Sequence, residues 1–399
     1  MSRISTAGMH NLALAGILNR STELARTQNQ IATGKRINTP ADDPAGSVRA
    51  LDLDRALAES QQFERNSAAA KNRLTFEEQT LADMTNLLQR VRDLTVEGAN
   101  ATVDSTGRQA IATEIQGRLE ELMGMANRKD AYGEFLFSGY KSLTQPFTKS
   151  GSTVQYAGDQ GERLIQTSST QRISDGHNGY DVFLSVAEGN GTFVTGANAA
   201  NTGSGIIDSG SVTNPAAWVP GDYTLRFTSA TNWDIVDSSN AVITSGAYTS
   251  GGTIAFNGAQ FSVGGAPATG DTFSIDTSRT EDMFTTLQKL VTTLGRANVT
   301  AADRAQFGTE MGAALTQLDR ALDHTSGVRA EIGARLSLLD EAADSRGEQE
   351  VEMKASLSEL RDLDYAEAIT RLNLQLTGLQ AAQSSYTKMA QLSLFDYMR

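Results

Sequence analysis

The residues able to do chemistry are few and scattered. The 399-residue chain holds three histidines and no cysteine. His10, His177 and His324 lie in three separate segments, with no spacing that would set two imidazoles on one metal. Without thiols there is no disulfide, zinc–thiolate or thiol-nucleophile chemistry. No HExxH, GxSxG or GxxxxGK[ST] pattern occurs. Gly189-Asn190-Gly191 begins like a dinucleotide fingerprint but lacks the third glycine, so it reads as a hairpin turn. Asp42 and Asp43 are adjacent, yet no third or fourth metal ligand lies nearby. Asp43 before Pro44 is instead the pattern of an N-cap followed by a first helical residue. Glu77–Glu78 and Glu348–Glu350 fall on expected helix surfaces, where a solvated carboxylate is the default. Two enzymatic options remain: a glycosidase-like pair, Asp222 with Asp234, and a sugar platform of Trp218 with Trp233. The tryptophans read better as core. No catalytic, cofactor-binding or metal-ligating residue is expected, and no cofactor.

The apolar residues say more. Between Leu363 and Met398, Tyr365, Ile369, Leu372, Leu376 and Leu379 recur at alternating spacings of four and three. That is a heptad seam, which buries one narrow stripe against another helix. Beyond Leu379 the seam turns polar (Gln383, Tyr386), while Leu392 and Phe395 still offer apolar surface. A matching half-polar seam runs from Ile4 to Ile31, with Ile17, Leu24 and Ile31 seven apart and Leu14, Ser21 and Gln28 between them. Helices with so thin a stripe do not fold alone. The two can pair with each other and still present apolar atoms to neighbouring molecules. The expected assembly residues are Leu14, Ile17, Leu24, Ile31, Ile369, Leu372, Leu376, Leu379, Leu392 and Phe395.

Proline placement organises the rest. The six prolines leave Ala45–Gln145 and everything after Pro267 free of helix breakers. Long helices are expected there: Ala45–Gly98, Arg108–Arg128, a Phe284–Leu294 face, a helix capped by Thr300, and a further rod after Gly327. Thr33-Gly34 ends the first helix, and NTPADDPAG (Asn38–Gly46) is turn chemistry. From Pro146 to Arg279 glycines crowd in, and short runs such as Tyr223-Thr-Leu-Arg-Phe alternate apolar and polar residues, as antiparallel strands do. The expected fold is mainly α with an inserted all-β, sandwich-like domain. Long antiparallel rods come from both chain halves, and terminal coiled-coil helices flank them. The expected partition is 1–40 with 364–399, 41–145 with 280–363, and 146–279.

Net charge is −13, which disfavours nucleic acid and anionic membranes as partners. No stretch approaches the ~20 apolar residues of a membrane span. Arg3 followed by Leu12–Leu18 imitates a secretory signal. The apolar run is too short, and its amphipathic pattern continues through Ile31, so a cleaved signal is not expected.

Several motifs carry a family likeness. IATGKRINTPADDPAG (Ile31–Gly46), with Arg36, Asn38, Asp42, Asp43 and Pro44 in its turn, resembles the N-terminal motif of the flagellin superfamily. Pro44 in DDPAG brings it nearer to the hook-associated protein 3 branch. GEFLFSGYKSLTQPF (Gly133–Phe147) and QLSLFDYM (Gln391–Met398) are similar to that branch, and VRAEIGARLSLLD (Val328–Asp340) to the superfamily. The likeness covers about residues 1–147 and 280–399; the β insert carries none. It implies a structural part of the bacterial flagellum, extracellular, exported unfolded through the flagellar type III apparatus with an export chaperone. It further implies a ring of identical subunits at the hook–filament junction, beside the other hook-associated junction protein and flagellin, and less directly the hook protein. A filament-forming flagellin is the alternative; a glycan-binding or hydrolytic protein acting through the insert is a third.

Overall fold

The computed structural model describes residues 6–151 and 153–397, with side chains at 8–151 and 153–389. Helices α1 (Thr6–Thr33), α2 (Pro44–Ala99) and α3 (Ser105–Ala126) precede the β-rich part. Helices α4 (Met283–Leu294), α5 (Ala301–Arg361) and α6 (Tyr365–Tyr397) follow it. Their starts are chemically marked. The Gly46 N–H donates to Asp43 Oδ1 at 2.9 Å at the head of α2, with Pro44 as the first helical residue. Asp104 caps α3 through Gly107 N at 2.8 Å. Thr300 and Asp303 cap α5 reciprocally: each backbone N–H donates to the other side chain.

One expectation needs correction. Gly327 does not divide a helix from a further rod; α5 runs through it for 61 residues. A glycine costs a helix about 1 kcal/mol relative to alanine. Burial of Val328 and Ile332 beside it outweighs that.

The chain forms two compact units, residues 1–65 with 341–399 and residues 66–340. In the larger one α2 and α5 run antiparallel. Ion pairs Lys71–Asp340, Glu78–Arg329 and Arg92–Asp319 descend one helix as they climb the other.

The stretch 146–279 is shared between two cores. Its first part holds β1 (Phe147–Ser150), β2 (Thr153–Tyr156), β3 (Leu164–Gln166), β4 (Arg172–Ser174) and β5 (Val186–Ala187). Phe147, Ile173, Val182, Phe183 and Val186 bury themselves with α2, α3, α4 and α5. Phe183 lies 5.1 Å from Phe137, 5.2 Å from Phe147 and 5.8 Å from Phe284, ring centre to ring centre. A loop rich in glycine and polar residues hides this membership, because its aromatics are spaced by turns rather than by helix period.

The second part is a sandwich. Its strands are β6 (Phe193–Ala197), β7 (Ile206–Ile207), β8 (Ser211–Val212), β9 (Tyr223–Ser229), β10 (Asn232–Asp237), β11 (Val242–Ala247), β12 (Thr253–Phe256), β13 (Ala259–Gly264) and β14 (Thr272–Thr277). One antiparallel sheet has the order β11-β10-β9-β14-β6. The other runs β12-β13-β7, with β8 also on β13. Alternation sends Tyr223, Leu225 and Phe227 of β9, and Phe273 and Ile275 of β14, into a core shared with Ile254, Phe256, Phe261 and Val263. Asn257 and Gly258, at φ of 47° and 78°, make the tight β12–β13 hairpin. A short strand β15 (Thr280–Glu281) pairs with β5 and leads into α4.

Candidate functional site

The terminal helices α1 and α6 pack against each other antiparallel. His10 meets Tyr386 edge to face at 5.6 Å, and Arg20 lies beside Gly378. Their contact line differs from the expected seam by one residue in each helix. On α1, Ile17, Leu24 and Ile31 do face inward, but the alternate positions are Ala13 and Thr27 rather than Leu14 and Gln28. On α6, Leu372 and Leu379 face inward with Ala368, Gln375 and Ala382, not with Ile369 and Leu376. Small side chains on the inner line allow close approach of the two backbones. Gly378 leaves room for the Arg20 guanidinium.

The consequence is an inverted surface. Leu14 is 47% exposed, Ile369 49% and Leu376 36%, and Leu12, Leu18 and Leu374 are exposed as well. Leu24 is buried within the pair, so it is not offered to a neighbour. The side chains of Leu392 and Phe395 lie outside the described residues.

The turn motif clasps the base of this pair. Gly34, at φ 70°, ends α1 by donating its N–H to Gln30 O at 2.9 Å. A side chain there would meet the Tyr365 hydroxyl. The α1–α2 and α5–α6 turns are stitched together: Arg36 N–H donates to Arg361 O at 2.7 Å, Leu363 N–H to Gly34 O at 3.0 Å, and Arg36 Nη2 to Leu360 O at 2.7 Å. Asp42 Oδ2 accepts from the backbone N–H groups of Asn38 at 3.0 Å and Thr39 at 2.8 Å, while Arg26 Nε lies 2.7 Å from its other oxygen. The Thr39 N–H foremost, then the Asn38 N–H and the Arg26 charge, outweigh partial burial and hold the Asp42 carboxyl below its ordinary range. Asn38 Oδ1 accepts from Thr33, and Asp43 sits near Arg36 at 3.6 Å. The paired aspartates are thus two caps with different clients.

Asp364 is the matching cap at the other terminus, accepting from Ala366 N at 2.9 Å and Glu367 N at 3.1 Å. Sequence reasoning missed it, although Asp364-Tyr-Ala-Glu367 is a capping-box pattern.

The enzymatic options fare differently. Asp234 is held bidentate by Arg226 at 3.0 and 2.7 Å, and Asp222 accepts from Thr277 N at 3.3 Å. Trp233 is buried, with its indole N–H donating to Ala247 O at 3.2 Å. Trp218 packs on Phe193, Tyr223 and Phe256. Trp233 is part of the sandwich core, and Trp218, partly buried, packs against it. Two carboxylates depart from expectation: Glu77 is not a solvated surface group but 1% exposed, bonded to His177, and Glu350 is partly buried, accepting from Ser60 Oγ at 2.9 Å. Glu78 beside Glu77 pairs with Arg329 at 2.7 Å. Among the described residues, no group of three His, Asp or Glu is placed to hold a metal. No described helix is long and apolar enough to cross a membrane.

Comparison with known proteins agrees with this architecture. Residues 4–142 match the bacterial flagellin N-terminal helical region, and 315–398 the C-terminal helical region. The sandwich, residues 196–277, matches the D2-like domain of flagellar hook-associated protein 1, a likeness sequence reasoning did not find. Flagellar hook-associated protein 3 of Salmonella typhimurium is 32% identical over 184 residues, spanning 46% of this chain and 57% of that protein. The match therefore reaches little more than half the length of this relative. Among solved structures, Xanthomonas campestris FlgL is 32% identical with a TM-score of 0.73, covering 77% of this chain and 99% of that one. Flagellar hook-associated protein 3 from Legionella pneumophila is 31% identical with a TM-score of 0.75, covering 77% and 98%. With helical ends, a β insert and near-complete coverage of these solved relatives, the chain belongs to the flagellar hook-associated protein 3 (FlgL) family.

Proposed function

We propose that this protein is a structural part of the bacterial flagellum that assembles, after export, as the junction ring between hook and filament, and that it performs no catalysis. One observation carries the reading: α1 and α6 face each other with Ile17, Leu24, Leu372 and Leu379 interleaved with small and polar residues, and leave Leu12, Leu18, Ile369 and Leu376 exposed. Such a stripe is stabilised by removal from water, at ~25 cal/mol per Å², and the described residues do not cover it. Neighbouring copies supply the cover, and each copy offers the same stripe in turn. Likeness to the flagellar junction protein FlgL of Legionella pneumophila, at 30% identity and a TM-score of 0.71, supports the placement.

On this reading the terminal pair forms the inner assembly layer, the α2–α5 region the next, and the sandwich faces outward. Partners are further copies of the chain, the other hook-associated junction protein and flagellin, with an export chaperone before assembly. Export without a cleaved signal follows from the same reading.

Similarity of 29% to a Salmonella flagellin over 184 residues favours a second reading, a filament-forming subunit. Seeded polymerisation separates the two. A junction protein added to isolated hooks stops as a thin collar. Filaments that keep growing overturn the junction reading in favour of the second one. Removing 372–399 should leave a folded protein that does not join the hook end. Motility restored by that truncation counts against both.

A further inference from the structure

His177 stands where three segments of the larger unit meet. Its Nδ1 lies 2.8 Å from Glu77 Oε1 on α2, and its Nε2 lies 3.2 Å from Glu331 Oε2 on α5. Its own backbone N–H donates to the same Glu77 carboxylate, at 3.2 and 3.3 Å. A neutral imidazole carries one N–H and one lone pair. It can therefore serve only one of these carboxylates, and it turns a lone pair toward the other. The imidazolium donates to both. The geometry thus selects the charged ring.

The surrounding charges have to be weighed. From α2, Arg73 borders Gly176 and lies 3.8 Å from Asp175, which Arg163 holds at 2.6 Å. From α5, Arg335 donates to Gly176 O at 3.3 Å and lies 3.8 Å from Glu331 and 3.9 Å from Glu162. Burial pushes the imidazole pKa down and Arg335 opposes the positive ring. The Glu77 hydrogen bond and charge, with Glu331, outweigh both and leave it above its ordinary 6.5. The two flanking carboxylates differ. Glu77 is enclosed, whereas the Glu331 side chain is 64% exposed and water can take over its hydrogen bonds.

We propose that His177 is a proton-operated latch: with both ring nitrogens protonated it ties residues 175–179 to α2 and α5, and loss of the Nε2 proton frees Glu331 and loosens that segment. The remaining Nδ1–H stays on Glu77. A group whose pKa is higher in the folded state gives its full stabilisation below the unfolded value and loses it as pH rises through the folded value. The latch is therefore closed below the raised folded-state value, while both glutamates stay ionised, and opens as pH rises through it. What it releases matters, because the next residues carry Val182 and Phe183 into the helical core.

The test is ring-nitrogen NMR of the full-length protein through a pH titration, paired with hydrogen exchange of 175–179 corrected for the intrinsic pH dependence. At pH 6.5, where an unperturbed imidazole is half protonated, the His177 ring should be mainly the imidazolium. The Glu331→Gln variant changes an exposed helix position and should lower the midpoint by about half a unit, as expected for one partly exposed ion pair. Exchange of 175–179 should rise through the wild-type midpoint and lose that rise in His177→Gln. A ring carrying a single proton at pH 6.5, a midpoint indifferent to Glu331→Gln, or the same exchange rise in His177→Gln overturns the latch. The first needs no variant, so a folding defect in His177→Gln leaves the test decisive.

Discussion

The two compact units handle apolar surface in opposite ways. Residues 66–340 enclose Phe137, Phe147, Phe183 and Phe284 in one core and Phe193, Phe227 and Phe273 in another. The described side chains of residues 8–65 and 341–389 bury only Leu24, Ile37, Ala50, Leu57, Leu363 and Ala368 among their apolar members, and all but Ala368 sit near the edge of burial. The same helices leave Leu12, Leu18, Val351 and Leu374 largely in water. Both units use long helices and half-polar sequence, so composition does not separate them. The difference lies in who supplies the covering surface: the chain itself in the larger unit and, on the proposed reading, other molecules in the smaller.

That contrast can be broken most forcefully in the core. Phe183→Ala should destabilise the folded monomer by about 3–5 kcal/mol, as deletion of a fully buried aromatic does. A urea midpoint that barely moves would mean that the helical core tolerates the cavity and that the contrast is overstated. Gly34→Ala should cost roughly 1–2 kcal/mol, because an L-residue pays that for a left-handed backbone. The added methyl also crowds the Tyr365 hydroxyl. Differential exchange at 30–37 and 361–366 should show the loss locally, at the clasp, with the sandwich unaffected.

The pH dependence sharpens the comparison with opposite signs. Asp42 has its pKa depressed in the folded protein, so its contribution is present above its unfolded value near 3.8 and is lost as pH falls through the lower folded value. Acid should open the clasp, and Asp42→Asn should flatten that limb in a circular-dichroism titration. The His177 contact fails instead as pH rises.

Much of this organisation is visible in the chain before any coordinates. Proline-free tracts locate the long helices, Asp43-Pro44 locates the start of α2, and alternation with glycine turns locates the sandwich. Three features were not legible for identifiable reasons. The seams of α1 and α6 follow small residues, Ala13, Ala368 and Ala382, which a search for large apolar side chains assigns to the wrong face. The Glu77–His177 contact joins positions 100 residues apart, so neither residue's neighbours announce it. The aromatics Phe147 and Phe183 belong to a helical core although they sit among strands and turns, where local pattern points to the β domain.

The smallest expected effect on folding is the most telling for function. Leu376→Ala trims a side chain that is 36% exposed in the monomer, and should change monomer stability by about 1 kcal/mol or less. If it costs as much as a core substitution, α6 is packed more completely than its exposure indicates.

The most direct measurement pairs Ile369→Asp with Leu376→Asp in one full-length variant and images it by electron microscopy after addition to isolated hooks, beside the wild type. The expected result is a variant that unfolds at the wild-type urea midpoint yet leaves the hook ends bare, while the wild type caps them. Capping by the doubly charged variant at wild-type occupancy would contradict the account, because the outward stripe would then not be what joins one copy to the next.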